Sequence, residues 1–237
     1  MITTPLIRTL AATCLLSVVG VGSAYAQSAS EERPVADFSR LVVRDGIDVY
    51  LTQSTAARLR IEVDGWELAD VVAQVEDDTL TLSIPSKRDG WSDENREATA
   101  YVDFVQLSTI RASGGSDLES RSDLELDGLA VEASGGSDVD LDVNAQSLEF
   151  AVSGGSDVEV SGATQSLTIT ASGGSDVSAE SLRAERATAS VSGGSDASLR
   201  ASSTIVVNAN GGSDVSVYGD PAERTVNNDR SSDVIWH

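Results

Sequence analysis

The tetrapeptide Gly-Gly-Ser-Asp recurs six times in the C-terminal half of the chain, and it restricts the fold more strongly than any other feature. The copies begin at Gly114, Gly135, Gly154, Gly173, Gly193 and Gly211, at steps of 21, 19, 19, 20 and 18 residues. A degenerate seventh copy, Arg230-Ser231-Ser232-Asp233, follows 19 residues later. A unit this short cannot bury its own apolar face, so neighbouring units must stack and share one core.

Between the turns, apolar and polar residues alternate with the period of two that is typical of a half-buried strand. Val139, Leu141 and Val143 alternate with Asp140 and Asp142, and a second alternating run follows at 148–152. Each repeat is therefore predicted to contain two short strands and two turns. Stacking the repeats gives an all-β fold, a parallel β-solenoid with flattened two-sheet coils of about 19 residues.

The N-terminus has the pattern of a signal peptide. Arg8 precedes an apolar stretch at 10–21, and Ala24-Tyr25-Ala26 fits the small-x-small cleavage rule. We expect residues 1–26 to be removed and residues 27–237 to form one solenoid domain, with diverged N-terminal coils at 37–110 and the Gly-Gly-Ser-Asp repeats at 111–237. Cys14 is the only cysteine, so the mature chain would contain no thiol or disulfide.

The formal net charge of −22 argues against several classes of partner. Phosphate binding requires clusters of cations, so neither nucleic acid nor an anionic membrane surface is an expected partner, and no membrane insertion is expected. The sequence favours an exported monomer that binds a protein or polysaccharide surface, located in the periplasm or at the cell surface of a Gram-negative bacterium.

Phe38, the stretch Gly46-Ile47-Asp48-Val49, the stretch Asp78-Thr79-Leu80-Thr81-Leu82 and the serial Ser-Gly-Gly-Ser-Asp turns resemble the bacterial head GIN domain family of auto-transporter adhesins. The resemblance covers nearly the whole mature chain. It implies a right-handed β-helix distantly similar to pectin lyases, a role in adhesion, and no established catalytic residues. The turn in that family is usually Gly-Ser-Gly, so the aspartate that ends each block is a departure from it.

Stacking in register would place the aspartates of the six blocks in one row: Asp117, Asp138, Asp157, Asp176, Asp196 and Asp214. Adjacent carboxylates about 4.8 Å apart in water repel each other by roughly 0.9 kcal/mol. Asp and Ser side chains could offset this by accepting backbone N–H groups within the turn, which would make the block structural. Calcium could also offset it by binding several carboxylates at once, and it is the only cofactor that the sequence suggests.

Catalysis has little support in the sequence. His237 is the only histidine and the last residue, so we expect it to be mobile and no Ser-His-Asp arrangement to form in the body of the domain. The alternative is a carbohydrate-active enzyme of the pectin-lyase type, which requires two suitably spaced carboxylates. Trp91 lies in a polar loop and is a candidate binding residue, whereas Trp66 and Trp236 are predicted to cap the ends of the core. The sequence thus predicts a non-catalytic adhesion-type protein that presents an acidic repeat surface.

Overall fold

The computed structural model describes residues 28–65, 67–85 and 97–237. The predicted signal peptide, Trp66 and the candidate binding residue Trp91 lie outside these residues. Within the described ranges, no helix is long and apolar enough to cross a lipid bilayer.

The described residues form seventeen β-strands and one 3₁₀ turn, Leu68–Asp70. The strands are β1 (Ala29–Arg33), β2 (Arg40–Arg44), β3 (Asp48–Gln53), β4 (Arg58–Asp64), β5 (Val72–Glu76), β6 (Thr79–Ser83), β7 (Glu97–Phe104), β8 (Thr109–Ser113), β9 (Leu118–Ser120), β10 (Leu124–Ser134), β11 (Asp138–Ser153), β12 (Asp157–Ser172), β13 (Asp176–Ser192), β14 (Asp196–Asn210), β15 (Asp214–Tyr218), β16 (Glu223–Asn228) and β17 (Asp233–Trp236).

Successive strands from β10 to β14 pair in parallel, one coil on the next, which confirms the predicted parallel β-solenoid. From β11 to β14 each coil is one long strand of 15 to 17 residues rather than the two short strands predicted from the sequence. The strand bends midway while its pairing continues, as at Asn144 opposite Ala163. The flanking coils do contain two strands, β9 and β10 in one and β15 and β16 in the other. In the described coils of β11 to β14, the strands are therefore interrupted at the Gly-Gly-Ser turn. We call the strand halves before this turn the pre-turn sheet and the halves after it the post-turn sheet.

The N-terminal coils do not stack in the order of the sequence. Strand β2 lies between β6 and β8, and β3 lies between β7 and β9, with all four pairings parallel. Antiparallel strands extend this end of both sheets: β4 pairs with β7, β1 with β4, and β5 with β6. The segment at 67–75 contains the 3₁₀ turn followed by the start of β5.

One hydrophobic core runs through the whole stack, built from the inward residues of the alternating pattern. Phe104 and Phe150 are its largest fully buried side chains, and Val, Leu, Ile and Ala fill most other positions. Because every second residue points inward, every other side chain must point to solvent. Parallel stacking in register therefore turns each repeated outward residue into a continuous row on the surface.

Candidate functional site: the acidic face

The two glycines of each block take left-handed backbone conformations, with φ of +71° at both Gly154 and Gly155. A Cβ on Gly154 would lie 3.3 Å from the backbone nitrogen of Gly135 in the preceding coil, whereas a Cβ on Gly155 would meet nothing within 4 Å. The first glycine is thus required by both conformation and close stacking, and the second by conformation alone. This geometry keeps the turns of successive coils in register.

The serine of each block points into the core and is buried, from Ser116 in the first block to Ser232 in the degenerate one. Its hydroxyl oxygen accepts a hydrogen bond from the backbone of the preceding coil. The N–H of Ser137 donates to Oγ of Ser156 at 3.1 Å, and the N–H of Ser156 donates to Oγ of Ser175 at 3.3 Å. The serines therefore satisfy buried backbone donors that the turn would otherwise leave without partners.

The aspartates stack in register on the outer surface. Asp138 pairs with Asp157, and the register continues through the later coils. The structure adds two members to the six predicted: Asp233 from the degenerate block, and Asp48, because Val49 pairs with Leu118 and so brings the preceding Asp48 beside Asp117. We call this set the aspartate row: Asp48, Asp117, Asp138, Asp157, Asp176, Asp196, Asp214 and Asp233. All eight side chains are exposed or half-buried.

A second acidic row runs beside the first, two residues further along the post-turn strands. Glu119, Asp140 and Glu159 are paired neighbours in it. The two rows border a shallow groove of about 570 Å³. Residues 122–182 contain twelve aspartates and glutamates and no lysine or arginine, so the sequence supplies no cation to these coils. We call the two rows together the acidic face.

Three carboxylates of the acidic face have raised pKa values. Partial burial, followed by the charges of Asp117 and Glu97, raises the pKa of Asp48. Partial burial, followed by the charges of Asp117 and Asp157, raises the pKa of Asp138. The pKa of Asp140 is also raised, by partial burial and then by Asp142 and Glu119. The ionised face therefore carries an electrostatic cost, which a cationic partner would relieve.

Part of that cost is offset within the protein. The N–H of Asp138 donates to Oδ1 of Asp117 at 3.3 Å, and the N–H of Asp214 donates to Oδ1 of Asp196 at 3.2 Å. These bonds join neighbouring coils, whereas bonds within one turn were expected from the sequence. Among the described residues, no three or more His, Cys, Asp or Glu side chains are grouped so that they could hold a metal ion. Calcium binding at the predicted aspartates remains a prediction.

The acidic face ends, toward the N-terminus, in a stack of cationic and aromatic side chains. The ring centroids of Tyr50 and Tyr101 are 5.4 Å apart. The guanidinium of Arg60 lies 3.7 Å from the Tyr101 ring centroid, and that of Arg121 lies 3.7 Å from the Tyr50 ring centroid. Sequence reasoning missed this stack, because it is assembled from four strands or turns that are distant in the chain.

The last residue of the chain contacts the preceding coil. The N–H of His237 donates to the carbonyl of Val217, and its imidazole stacks on Tyr218 with centroids 4.6 Å apart. The mobility expected of His237 stays a prediction. Trp236 is 37% exposed, with the guanidinium of Arg224 4.5 Å from its ring centroid. Trp236 thus covers the end of the core only in part, and the guanidinium of Arg224 stacks on its indole ring.

The fold and this surface together define a class: a parallel β-solenoid that carries a continuous acidic face. Residues 37–221 match the model of the family described as "Putative auto-transporter adhesin, head GIN domain", and the chain belongs to that family. Comparison with the curated proteins finds no match.

Solved structures of low sequence identity share the fold. One described as a putative adhesin from Bacteroides fragilis is 23% identical, with a TM-score of 0.81 over 89% of this chain and 97% of its own. Another, from Parabacteroides distasonis and also described as a putative adhesin, is 19% identical, with a TM-score of 0.71 over 89% and 98%. A third, described as a putative lipid binding protein from the same species, is 17% identical, with a TM-score of 0.62 over 88% and 96%.

Proposed function

We propose that this protein is an exported, non-catalytic adhesion-type binding protein, and that its acidic face holds a cationic partner such as a basic protein segment or an amine-bearing polymer. The family and the solved structures described as adhesins support the general role. The observation that carries the specific proposal is the pair of carboxylate rows, whose central coils at residues 122–182 contain no lysine or arginine. Partial burial raises the pKa values of Asp48, Asp138 and Asp140, and repulsion from neighbouring carboxylates raises them further; ion pairing with the partner would relieve that repulsion.

The experiment compares two variants with the same change in net charge. The first neutralises the centre of the acidic face: Asp138→Asn, Asp140→Asn, Asp157→Asn and Glu159→Gln. The matched control neutralises four exposed carboxylates elsewhere: Asp37→Asn, Glu132→Gln, Glu149→Gln and Asp220→Asn. Binding of a fluorescent oligolysine peptide is measured by anisotropy at low and at physiological ionic strength.

We expect the acidic-face variant to lose at least about tenfold in affinity and to show a weaker salt dependence, because local ion pairs are lost. The control should lose much less. Equal losses in the two variants would show that net charge alone attracts the peptide, and would contradict the proposed face.

The non-catalytic part of the proposal has its own test. The pectin-lyase-type alternative predicts that the protein cleaves an acidic polysaccharide, whereas a binding protein leaves the polymer intact. Incubating the purified protein with polygalacturonate and following unsaturated products and reducing ends distinguishes the two. Any turnover that survives repurification would contradict the binding proposal.

We also propose that the protein is a monomer. Strands β16 and β17 form the last coil. Trp236 on β17 pairs with the inward-facing Val217 of the preceding coil, and the guanidinium of Arg224 stacks on the Trp236 ring. This places a charge at the end of the stack, where a second copy would otherwise pair. Sedimentation velocity over a wide range of concentrations should give one monomeric species. A stable dimer or trimer would contradict this proposal.

A further inference from the structure

A groove of about 790 Å³ lies at the N-terminal end of the solenoid, beside strands β4 and β7 and the residues that follow β1. Pro34, Val35 and Ala57 supply its apolar lining, and Val35 and Ala57 are half-buried against the core. The volume falls within the range of roughly 300–1,000 Å³ that is usual for ligand sites. The groove is separate from the acidic face.

Polar side chains of both signs line the rest of the groove. Arg58 on β4 lies directly opposite Asp103 on β7, and Arg60 lies opposite Tyr101 in the same antiparallel register. Glu32 lines the groove from β1. A guanidinium group only donates hydrogen bonds and an ionised carboxylate only accepts them, so this wall presents both kinds of partner side by side.

The charges of this groove are close to balanced, in contrast to the acidic face. Arg60 is paired with Glu62, which also accepts a hydrogen bond from Oη of Tyr101 at 3.1 Å. Arg33 is paired with Glu31 and donates to backbone carbonyls near the 3₁₀ turn. A ligand with a full charge of either sign would therefore meet a like charge in the groove. A hydroxyl group fits better, because it can donate to a carboxylate and accept from a guanidinium.

The apolar lining determines how such a ligand would lie. Both faces of the Tyr101 ring are covered, one by Arg60 and the other by Tyr50, so the ring offers no free face on which a sugar could stack. The surface at Pro34, Val35 and Ala57 is left to receive the C–H face of a sugar ring, while its hydroxyls point to the polar wall.

We propose that this groove binds a neutral, hydroxylated sugar unit of a polysaccharide, with Arg58 and Asp103 as the donor and acceptor for neighbouring hydroxyls. Such a site would give the protein a glycan contact in addition to the acidic face, and it does not depend on the binding of cations there. The two sites can be tested separately, because oligolysine and a neutral oligosaccharide do not compete by charge.

The first experiment is an NMR titration of ¹⁵N-labelled residues 27–237 with four neutral probes: cellohexaose, maltohexaose, laminarihexaose and mannohexaose. Hexagalacturonate is the anionic probe. At least one neutral probe should shift the amide resonances of residues 57–60 and 101–103 at millimolar concentration. Failure of all four to shift these resonances, or stronger binding of hexagalacturonate at the same residues, would overturn the proposal.

Three substitutions then test the assigned roles. Arg58→Gln and Asp103→Asn each remove charge-assisted hydrogen bonds and should weaken binding by about tenfold or more. Ala57→Phe should fill the groove and abolish binding. The matched control is Arg111→Gln, which breaks an exposed cross-strand ion pair of 3.0 Å with Glu132 on the pre-turn sheet and should leave binding unchanged.

Melting temperatures of all the variants must stay close to that of the unmodified protein for the comparison to hold, and Ala57→Gly replaces Ala57→Phe if the larger side chain prevents folding. The glycine variant removes the methyl group of the apolar lining and should weaken binding without abolishing it. Equal affinity for the groove variants and the Arg111→Gln control would overturn the proposal.

Discussion

Replacing Ser156 with alanine removes a buried hydroxyl from the middle of the stack of turns. Ser156 is fully buried, and its Oγ accepts the hydrogen bond from the N–H of Ser137 at 3.1 Å. In the variant this backbone donor stays inside the core without its partner, while the N–H of residue 156 still donates to Ser175. Leaving one buried donor unsatisfied costs about 1–3 kcal/mol, so we expect Ser156→Ala to lower the free energy of unfolding by that amount.

The assay is equilibrium unfolding in urea, followed by circular dichroism and by tryptophan fluorescence so that coincident transitions verify two-state behaviour. The matched control is Ser178→Ala, which removes an exposed hydroxyl from the post-turn sheet and should change stability by less than about 0.5 kcal/mol. Indistinguishable midpoints for the two variants would refute the claim that the buried serines stabilise the turns.

Three further predictions concern the glycines, the carboxylates and calcium. Gly154→Ala should destabilise the protein more than Gly155→Ala in the same unfolding assay, because only the first would also press against the backbone of the preceding coil; equal effects would contradict the stacking argument. The folded-state pKa of Asp140 is raised, so its stabilising contribution is complete below its unfolded pKa and is lost as pH rises through the folded pKa. Asp140→Asn should therefore be more stable than the unmodified protein at pH 7 and lose this advantage below pH 3.8, as measured by urea unfolding across pH; no advantage at pH 7 would contradict the shift. The melting temperature should rise equally in millimolar calcium and magnesium relative to chelator, whereas a calcium-specific rise of several degrees would make the aspartate row a metal site.

The repeat region was readable from the sequence because one residue type recurs at each structural position. The glycine pair, the buried serine and the outward aspartate follow from local turn chemistry and the alternating pattern. Pairing in register then places the equivalent residues of successive coils in rows. The long bent strands were not predicted, because polar residues at positions such as Asn144 resemble a turn although their backbone continues the parallel pairing with Ala163.

The N-terminal half was less predictable, because its contacts join distant segments of the chain. Asp45 and Gly46 adopt the same left-handed pair of conformations as a Gly-Gly turn, with φ of 69° and 75°. Asp48 therefore joins the aspartate row. No local pattern identified Asp48 as a member of the row, because the preceding residue is Ile47 where the blocks have serine, and because its neighbour Asp117 is 69 residues away in the chain. The sugar groove depends on the antiparallel register of β4 and β7, which no short motif specifies.

The aspartates of the row are stacked closely enough to affect one another's ionisation. The most direct test is to titrate the carboxyl carbon of Asp138 by NMR in the unmodified protein and in a variant with Asp117→Asn and Asp157→Asn. We predict that the pKa of Asp138 lies above 3.8 in the unmodified protein and falls when both neighbours are neutralised. A pKa of Asp138 at or below 3.8 that does not respond to the two substitutions would contradict the stacked row and the acidic face built on it.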